Sequence, residues 1–247
     1  MILAAGLGTR LKPITDTLPK ALVEIEGVPM LQHVILSLKK QGFDKIIVNV
    51  HHFANQIIEF LDTNKFGVDI KISDESDSLL DTGGGIVKAY PLLFNSDDSP
   101  VLIHNVDILS NANLKDLMDE SNKNTIGSNL LVSDRESSRK LLFNKEMNLC
   151  GWHDLKNNKF RLIGDRKKEN TSELAFSGIY VVTKDAVEEM KDLCETGSFP
   201  IMDYFLNPLR KLPVKGLGQP NLRLLDIGKP ATLSQAPSLL NELNTVS

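Results

Sequence analysis

The residues with the plainest chemical purpose open the chain. Gly6-Leu7-Gly8-Thr9-Arg10 follows a short apolar run, and Lys20 arrives behind two prolines, Pro13 and Pro19. Glycines let bare backbone N–H groups come close to an anion. Arg10 adds a permanent charge and a fork of donors that matches phosphate oxygens. Lys20 adds a second, compact cation, so the stretch reads as a phosphate grip. A different chemistry is available at His104-Asn105-Val106-Asp107, which ends the apolar run Val101–His104. Open α/β sheets place ligands at the carboxyl ends of their strands. A carboxylate there can hold Mg²⁺, a hard cation that takes oxygen ligands and bridges phosphates. The plainer alternative for Asp107 is loop capping. A third candidate is Leu79-Leu80-Asp81-Thr82-Gly83-Gly84-Gly85, where consecutive glycines are expected to form a loop open to something flat or anionic.

Other readings of the first stretch are weaker. A dinucleotide fingerprint would use Gly6-x-Gly8 with Glu24 or Glu26 downstream, but it needs a helix directly after the glycines. Pro13 and Pro19 oppose one, and the third glycine is missing. A surface turn with incidental charges explains the glycines and leaves the arginine, two prolines and lysine unexplained. His51-His52 has no histidine or cysteine at zinc-ligand spacing. Arg166-Lys167-Lys168 reads as a solvated loop.

Alternating patterns position these groups. Met1–Ala4 reads as a buried strand and Ala21–Ile25 as a short one. Met30, Leu31, Val34, Ile35 and Leu38 recur at helical spacing until Gly42, and Lys45–Val50 is a buried-strand run. A helix at 55–61, strands at 68–73 and 101–104 and a helix after Leu114 continue the rhythm. From Thr125 strand-like runs at 126–132, 141–143, 149–152 and 174–182 come with fewer helices. Helices are expected at 184–193, 201–209 and 231–243. The fold class is therefore α/β, Rossmann-like, a mostly parallel sheet with helices on both faces and a smaller, more antiparallel layer facing the substrate.

Composition narrows the partners. The net charge of −4 gives no general attraction to nucleic acid or anionic lipid, so an anionic substrate must meet local cations. Two cysteines suit a reducing compartment, and no apolar run is long enough for a membrane span. With Met1 directly on the first strand and no signal-peptide pattern, a cytoplasmic protein is expected.

Gly-x-Gly-Thr-Arg, two residues, Pro, then Pro-Lys, from Gly6 to Lys20, resembles the signature of the sugar-1-phosphate nucleotidyltransferases. The likeness is greatest to the short bacterial N-acetylmuramate-1-phosphate uridylyltransferase and mannose-1-phosphate guanylyltransferase-like members. The resemblance implies the nucleotide-diphospho-sugar transferase fold as one domain over 1–247, with a nucleotide-binding half (1–124) and a sugar-binding half (125–247). It implies Mg²⁺-dependent transfer of a nucleotidyl group from an NTP, UTP or GTP favoured, to a sugar-1-phosphate, giving an NDP-sugar and pyrophosphate. Arg10 and Lys20 would be catalytic. Leu3, Ala4, Ala5, Gly6, Gly8, Thr9, Thr82, Gly83, Gly84 and Asn105 would contact the nucleotide, and Gly151 and Gly178 the sugar. Leu224-Leu-Asp226-Ile-Gly-Lys-Pro230 resembles the family's Asp-x-Gly-Thr-Pro segment, so Asp226 would join Asp107 on the metal. Val106 stands where relatives usually have glycine, Lys229 replaces a threonine, and a Glu-Lys-Pro motif of many relatives is missing. The first two departures leave open a catalytically silent NDP-sugar-binding regulatory protein. A cytidylyltransferase acting on phosphocholine is a further alternative. Nothing in the sequence speaks to oligomeric state.

Overall fold

The computed structural model describes residues 1–95, 97–123, 126–194 and 197–245. In chain order the first part runs β1 (Ile2–Leu3), β2 (Glu24–Ile25), β3 (Val28–Pro29), α1 (Met30–Lys40), β4 (Lys45–Val50), α2 (Ala54–Thr63) and β5 (Asp69–Asp74). Next come α3 (Asp81–Leu93), β6 (Val101–Asn105), β7 (Ile108–Ser110) and α4 (Leu114–Lys123). The rest runs β8 (Ser128–Ser133), β9 (Arg139–Phe143), β10 (Leu149–Asp154), β11 (Lys159–Leu162), β12 (Ser172–Val182), α5 (Lys184–Leu193) and α6 (Ile201–Phe205). β13 (Val214–Gly218), β14 (Leu224–Asp226), α7 (Pro230–Leu233) and α8 (Ala236–Thr245) complete it.

β1 is short, but both of its edges are used: it pairs in parallel with β4 and with β6, and β4 pairs in parallel with β5. Strands of this kind are covered on both faces and so lose the polar alternation of an exposed sheet. In β4, Ile47 joins the core beneath α3, α5 and α6, whereas Ile46, Val48 and Val50 join the core beneath α1, α2 and α4. Helices therefore cover both faces, as the alternating sequence pattern requires. The α/β class with this strand–helix rhythm agrees with the expectation.

The more antiparallel half is not a separate layer. It continues the same ten-stranded sheet through β12. One end of β12 pairs antiparallel with β6 and β8, and the other end pairs with β9, with an irregularity between Phe176 and Tyr180. β10 and β11 extend this side as a meander. The expected dividing point between halves, 124/125, lies outside the described residues.

Several local expectations are corrected. Lys20–Leu22 forms a 3-10 turn, and the strand begins only at Glu24. Residues 83–85 are not in a loop but in the opening turns of α3, which begins at Asp81. The helix near 201 ends at Phe205, and the last helix is split into α7 and α8. β7, β11, β13 and β14 are additional, all of them three to five residues long. β7 and β14 form a two-stranded antiparallel ribbon off the main sheet, over a third core containing Leu11, Ile227 and Leu239.

Candidate active site

The amino-terminal loop is folded around Gly8. Its φ of +66° is a left-handed conformation, and a Cβ there would lie 2.9 Å from Thr15 Cγ2 and 3.0 Å from Lys20 Cβ. Only glycine combines that φ with such close approach. Thr15, buried, donates its hydroxyl to the Gly8 carbonyl at 2.9 Å, and the Leu11 N–H donates to the same oxygen at 2.8 Å. Leu11 is buried in the third core, so Arg10 beside it is turned outward and exposed. Proline-framed and packed on Gly8, Lys20 is swung towards β6, where its ammonium donates to Asp107 Oδ2.

Asp107 lies two residues beyond the end of β6 and is buried. Asp226, the last residue of β14, is brought beside it by the ribbon: Asp226 sits opposite Ile108, and the Ile227 N–H donates to the Asp107 carbonyl at 2.9 Å. The Gly228 N–H donates to Asp226 Oδ1 at 2.9 Å and fixes that carboxylate. A Cβ on Gly228 would be 2.7 Å from Asp107 Oδ2, 2.9 Å from Asp226 Oδ1 and 2.9 Å from Arg10 Nη2. Two carboxylates from distant segments and the guanidinium thus face a single point. Among the described residues no group of three or more His, Cys, Asp or Glu gathers as a metal site. Two aspartate carboxylates with no histidine or cysteine joining them among the described residues match a hard cation that fills its remaining positions with water and phosphate.

A cavity of about 310 Å³ opens beside this point, lined by Leu3, Ala5, Gly6, Arg10 and Lys20 of the amino-terminal segment, by Asn49, by Leu79, Asp81 and Thr82, and by Asn105, Val106 and Asp107. At Gly6 no heavy atom lies within 4 Å of where a Cβ would be. A larger cavity of about 800 Å³ lies elsewhere, between α1, β7 and α8, and holds none of these cations.

The model of the nucleotidyl transferase family matches residues 1–140, more than half of the sequence and the whole of the stretch from Gly6 to Asp107. The chain belongs to the nucleotidyl transferase family. An N-acetylmuramate alpha-1-phosphate uridylyltransferase of Neisseria meningitidis serogroup B is 41% identical over 111 residues, 44% of this chain and 47% of that protein. A mannose-1-phosphate guanyltransferase of Yarrowia lipolytica is 34% identical over 142 residues, 57% of this chain and 39% of that protein. The matched stretches thus span less than half the length of these relatives. Among solved structures, HddC from Yersinia pseudotuberculosis complexed with GMP-PN superposes with a TM-score of 0.76 at 22% identity, over 97% of both chains. The inositol-1-phosphate CTP transferase from T. maritima gives 0.73 at 18% identity, over 98% of this chain and 94% of that one. These last likenesses concern the fold, which is that of the sugar-phosphate nucleotidyltransferases.

The nucleotidyl transferase fold uses some expected residues otherwise. Gly83 and Gly84 do not present free amides to a base. Both N–H groups donate to the Phe199 carbonyl, at 2.9 and 3.3 Å. A Cβ on Gly83 would strike the Phe199 ring at 2.2 Å, and one on Gly84 the Gly197 carbonyl at 2.2 Å. Their neighbours Asp81 and Thr82 line the cavity instead. Ala4 is buried and gives its N–H to Asn49 Oδ1, whereas Leu3, Ala5 and Gly6 line the cavity and Thr9 is exposed. Gly151 makes room for β11, since a Cβ would lie 2.7 Å from the Arg161 carbonyl oxygen. Gly178, at φ +77°, leaves space for the Asn105 amide, 2.7 Å from where a Cβ would stand. Val106 is buried in the apolar core beneath α1, α2 and α4, and Lys229 is exposed. Val106 also lines the cavity, beside the point where the two carboxylates meet. Sequence reasoning missed Asn49 and Glu75, both buried beside the cavity. The signal for Asn49 was a lone amide inside the apolar run 46–50.

Proposed function

We propose that this protein transfers a nucleotidyl group from an NTP to a sugar-1-phosphate in the presence of Mg²⁺, giving an NDP-sugar and pyrophosphate. The observation that carries the reading is the meeting of Asp107, Asp226 and Arg10 around one point, at 2.7, 2.9 and 2.9 Å from it, beside a cavity floored by the glycine loop. The uridylyltransferase and guanyltransferase activities of the relatives support the substrate class, with UTP or GTP favoured.

In the proposed reaction a phosphate oxygen of the sugar-1-phosphate attacks the α-phosphorus of the NTP in line. The new P–O bond forms as the bond to the bridging oxygen breaks, and pyrophosphate leaves with that electron pair. Such transfers depend on positioning and charge neutralisation rather than on a covalent protein intermediate. Arg10 binds the β- and γ-phosphates and offsets the charge of the departing pyrophosphate. Lys20, on a flexible stem and paired to Asp107, exchanges that contact for the α-phosphate and the incoming phosphate. Mg²⁺, held by Asp107 and Asp226, would supply Lewis-acid neutralisation at the α-phosphate. Leu3, Ala5, Gly6 and Gly8 form the wall against the nucleotide, with Thr82 and Asn105 facing it. Gly178, in β12, leaves room for the Asn105 amide, and the acceptor sugar lies towards this strand. The chain acts as one domain in the cytoplasm, where its NTP is made.

The test is purified protein with Mg²⁺, each of four NTPs and a panel of sugar-1-phosphates, read as pyrophosphate release. The expected result is release with UTP or GTP and one class of acceptor. Tight binding of an NDP-sugar with no release from any pair would overturn the reading in favour of a silent binder. Release with CTP and phosphocholine alone would overturn it in favour of the cytidylyltransferase.

A further inference from the structure

Glu75 is fully buried, yet neither the phosphate grip nor the paired carboxylates use it. Its Oε1 accepts from Asn49 Nδ2 at 2.7 Å, and its Oε2 accepts from the Leu80 N–H at 3.3 Å. Asn49 in turn accepts the Ala4 N–H on Oδ1 at 2.7 Å. One chain of hydrogen bonds therefore joins the end of β1, the end of β4 and the segment that enters α3. Burial raises the Glu75 carboxyl above its ordinary range, while the donations from Asn49 and Leu80 draw it back. The packing leaves no slack: a Cβ on Gly85 would lie 2.6 Å from Glu75 Oε1 and 2.9 Å from Asn49 Nδ2.

The two ends of this relay adjoin two different segments that line the cavity, and Asn49 at its middle lines it too. Ala4 precedes Ala5 and Gly6 on one wall, and Leu80 lies between Leu79 and Asp81 on the other. The second wall is strained, because Asp81 has a φ of +59° without being glycine. Such a conformation persists only where its surroundings over-determine it, and it collects at ligand sites. Leu80 is held from both sides, its N–H by Glu75 and its carbonyl by the Phe199 N–H at 3.1 Å.

We propose that Glu75, acting through Asn49 and Leu80, is a positioning residue that sets the spacing of the two nucleotide-facing walls and thereby the affinity for the NTP. This rests on the reading that the cavity takes an NTP. It adds a residue outside the reacting groups, whose loss alters binding before it alters chemistry.

The experiment measures the dissociation constants of Mg²⁺-UTP and Mg²⁺-GTP by calorimetry, without acceptor, alongside kcat and KM. In Glu75→Gln an amide N–H₂ must face either the Asn49 amide or the Leu80 N–H, so one donor is left unpaired. The expected effect is about a tenfold to hundredfold weakening of the nucleotide, with kcat at saturation within about threefold of the parent. Asn49→Asp combined with Glu75→Gln reverses the donor and acceptor while keeping every bond: Asp accepts from Ala4 and from the glutamine amide, and the glutamine carbonyl accepts from Leu80. That double variant is expected to return affinity to within about threefold of the parent. A merely structural role would move the melting temperature and leave the split between KM and kcat untouched. Should Glu75→Gln not fold, Gly85→Ala displaces the same carboxylate and is read in the same way. Unchanged affinity in the single variant, or a double variant no better than the single, would overturn the proposal. Because binding is measured without turnover, a protein that binds nucleotide but transfers to no acceptor refutes the reaction and leaves this test standing.

Discussion

Gly6 and the pair Gly83 and Gly84 lie in two glycine-rich stretches of the chain, and the structure uses them in opposite ways. At Gly6 the missing side chain faces open space on the cavity wall. At Gly83 and Gly84 the missing side chains are replaced by the protein itself, by the Phe199 ring and the Gly197 carbonyl. Gly6 leaves open space beside the cavity, while Gly83 and Gly84 let the start of α3 sink onto the segment before α6. Composition cannot separate these uses, because glycine removes the same atoms in both. What separates them is whether the vacated volume is already taken.

Substitutions that add one methyl group test this difference directly. Gly228 lies among the charged groups, so Gly228→Ala is expected to reduce turnover on the order of a hundredfold or more while the melting temperature stays nearly unchanged. Arg10→Ala is expected to lose turnover on the same scale by removing the charge itself. Normal turnover in Gly228→Ala would deny that the space between Asp107, Asp226 and Arg10 is where the chemistry occurs. The scaffold has a pH signature that the site variants leave alone. Burial first of all pushes His104 down from 6.5 to about 4. As pH falls from 6.5 towards 4 the unfolded chain takes up a proton that the folded chain refuses, so stability declines through that window. Urea titrations at pH 7 and pH 4.5 are expected to differ by about 2–3 kcal/mol through this group, and His104→Gln should flatten that part of the dependence. Gly84→Ala is expected to cost about 1–3 kcal/mol by overpacking, measured by urea denaturation, with kcat of the folded protein little changed. Gly6→Ala is expected to be the gentlest: stability as in the parent, and NTP affinity reduced about tenfold, roughly 1.4 kcal/mol. Destabilisation in Gly6→Ala together with none in Gly84→Ala would reverse the comparison.

These differences follow the reach of the signals in the sequence. The local fold of the amino-terminal glycine loop was legible because its parts are close in sequence, and Thr15 and Lys20 pack on Gly8. Asp107 was legible because a carboxylate ends an apolar strand. Asp226 was legible by likeness alone. β14 is three residues long and its partner β7 is equally short, so no periodicity announces the ribbon that brings Asp226 into place. The α3 glycines were misread as a loop because glycine is a poor helix former. Contacts with Phe199, remote in sequence, overrode that preference. Asn49 was absorbed into an apolar run, and Glu75 into a polar one. Both declared themselves only when burial showed that their partners were each other.

The ribbon has a consequence for how the molecule is born. Synthesis proceeds from the amino terminus, so the cationic loop and Asp107 leave the ribosome long before Asp226 does. Until β14 finds β7, a growing chain has one carboxylate where the finished protein has two. The pair of carboxylates is therefore complete only once β14, the last of the described strands, has been made and has paired with β7.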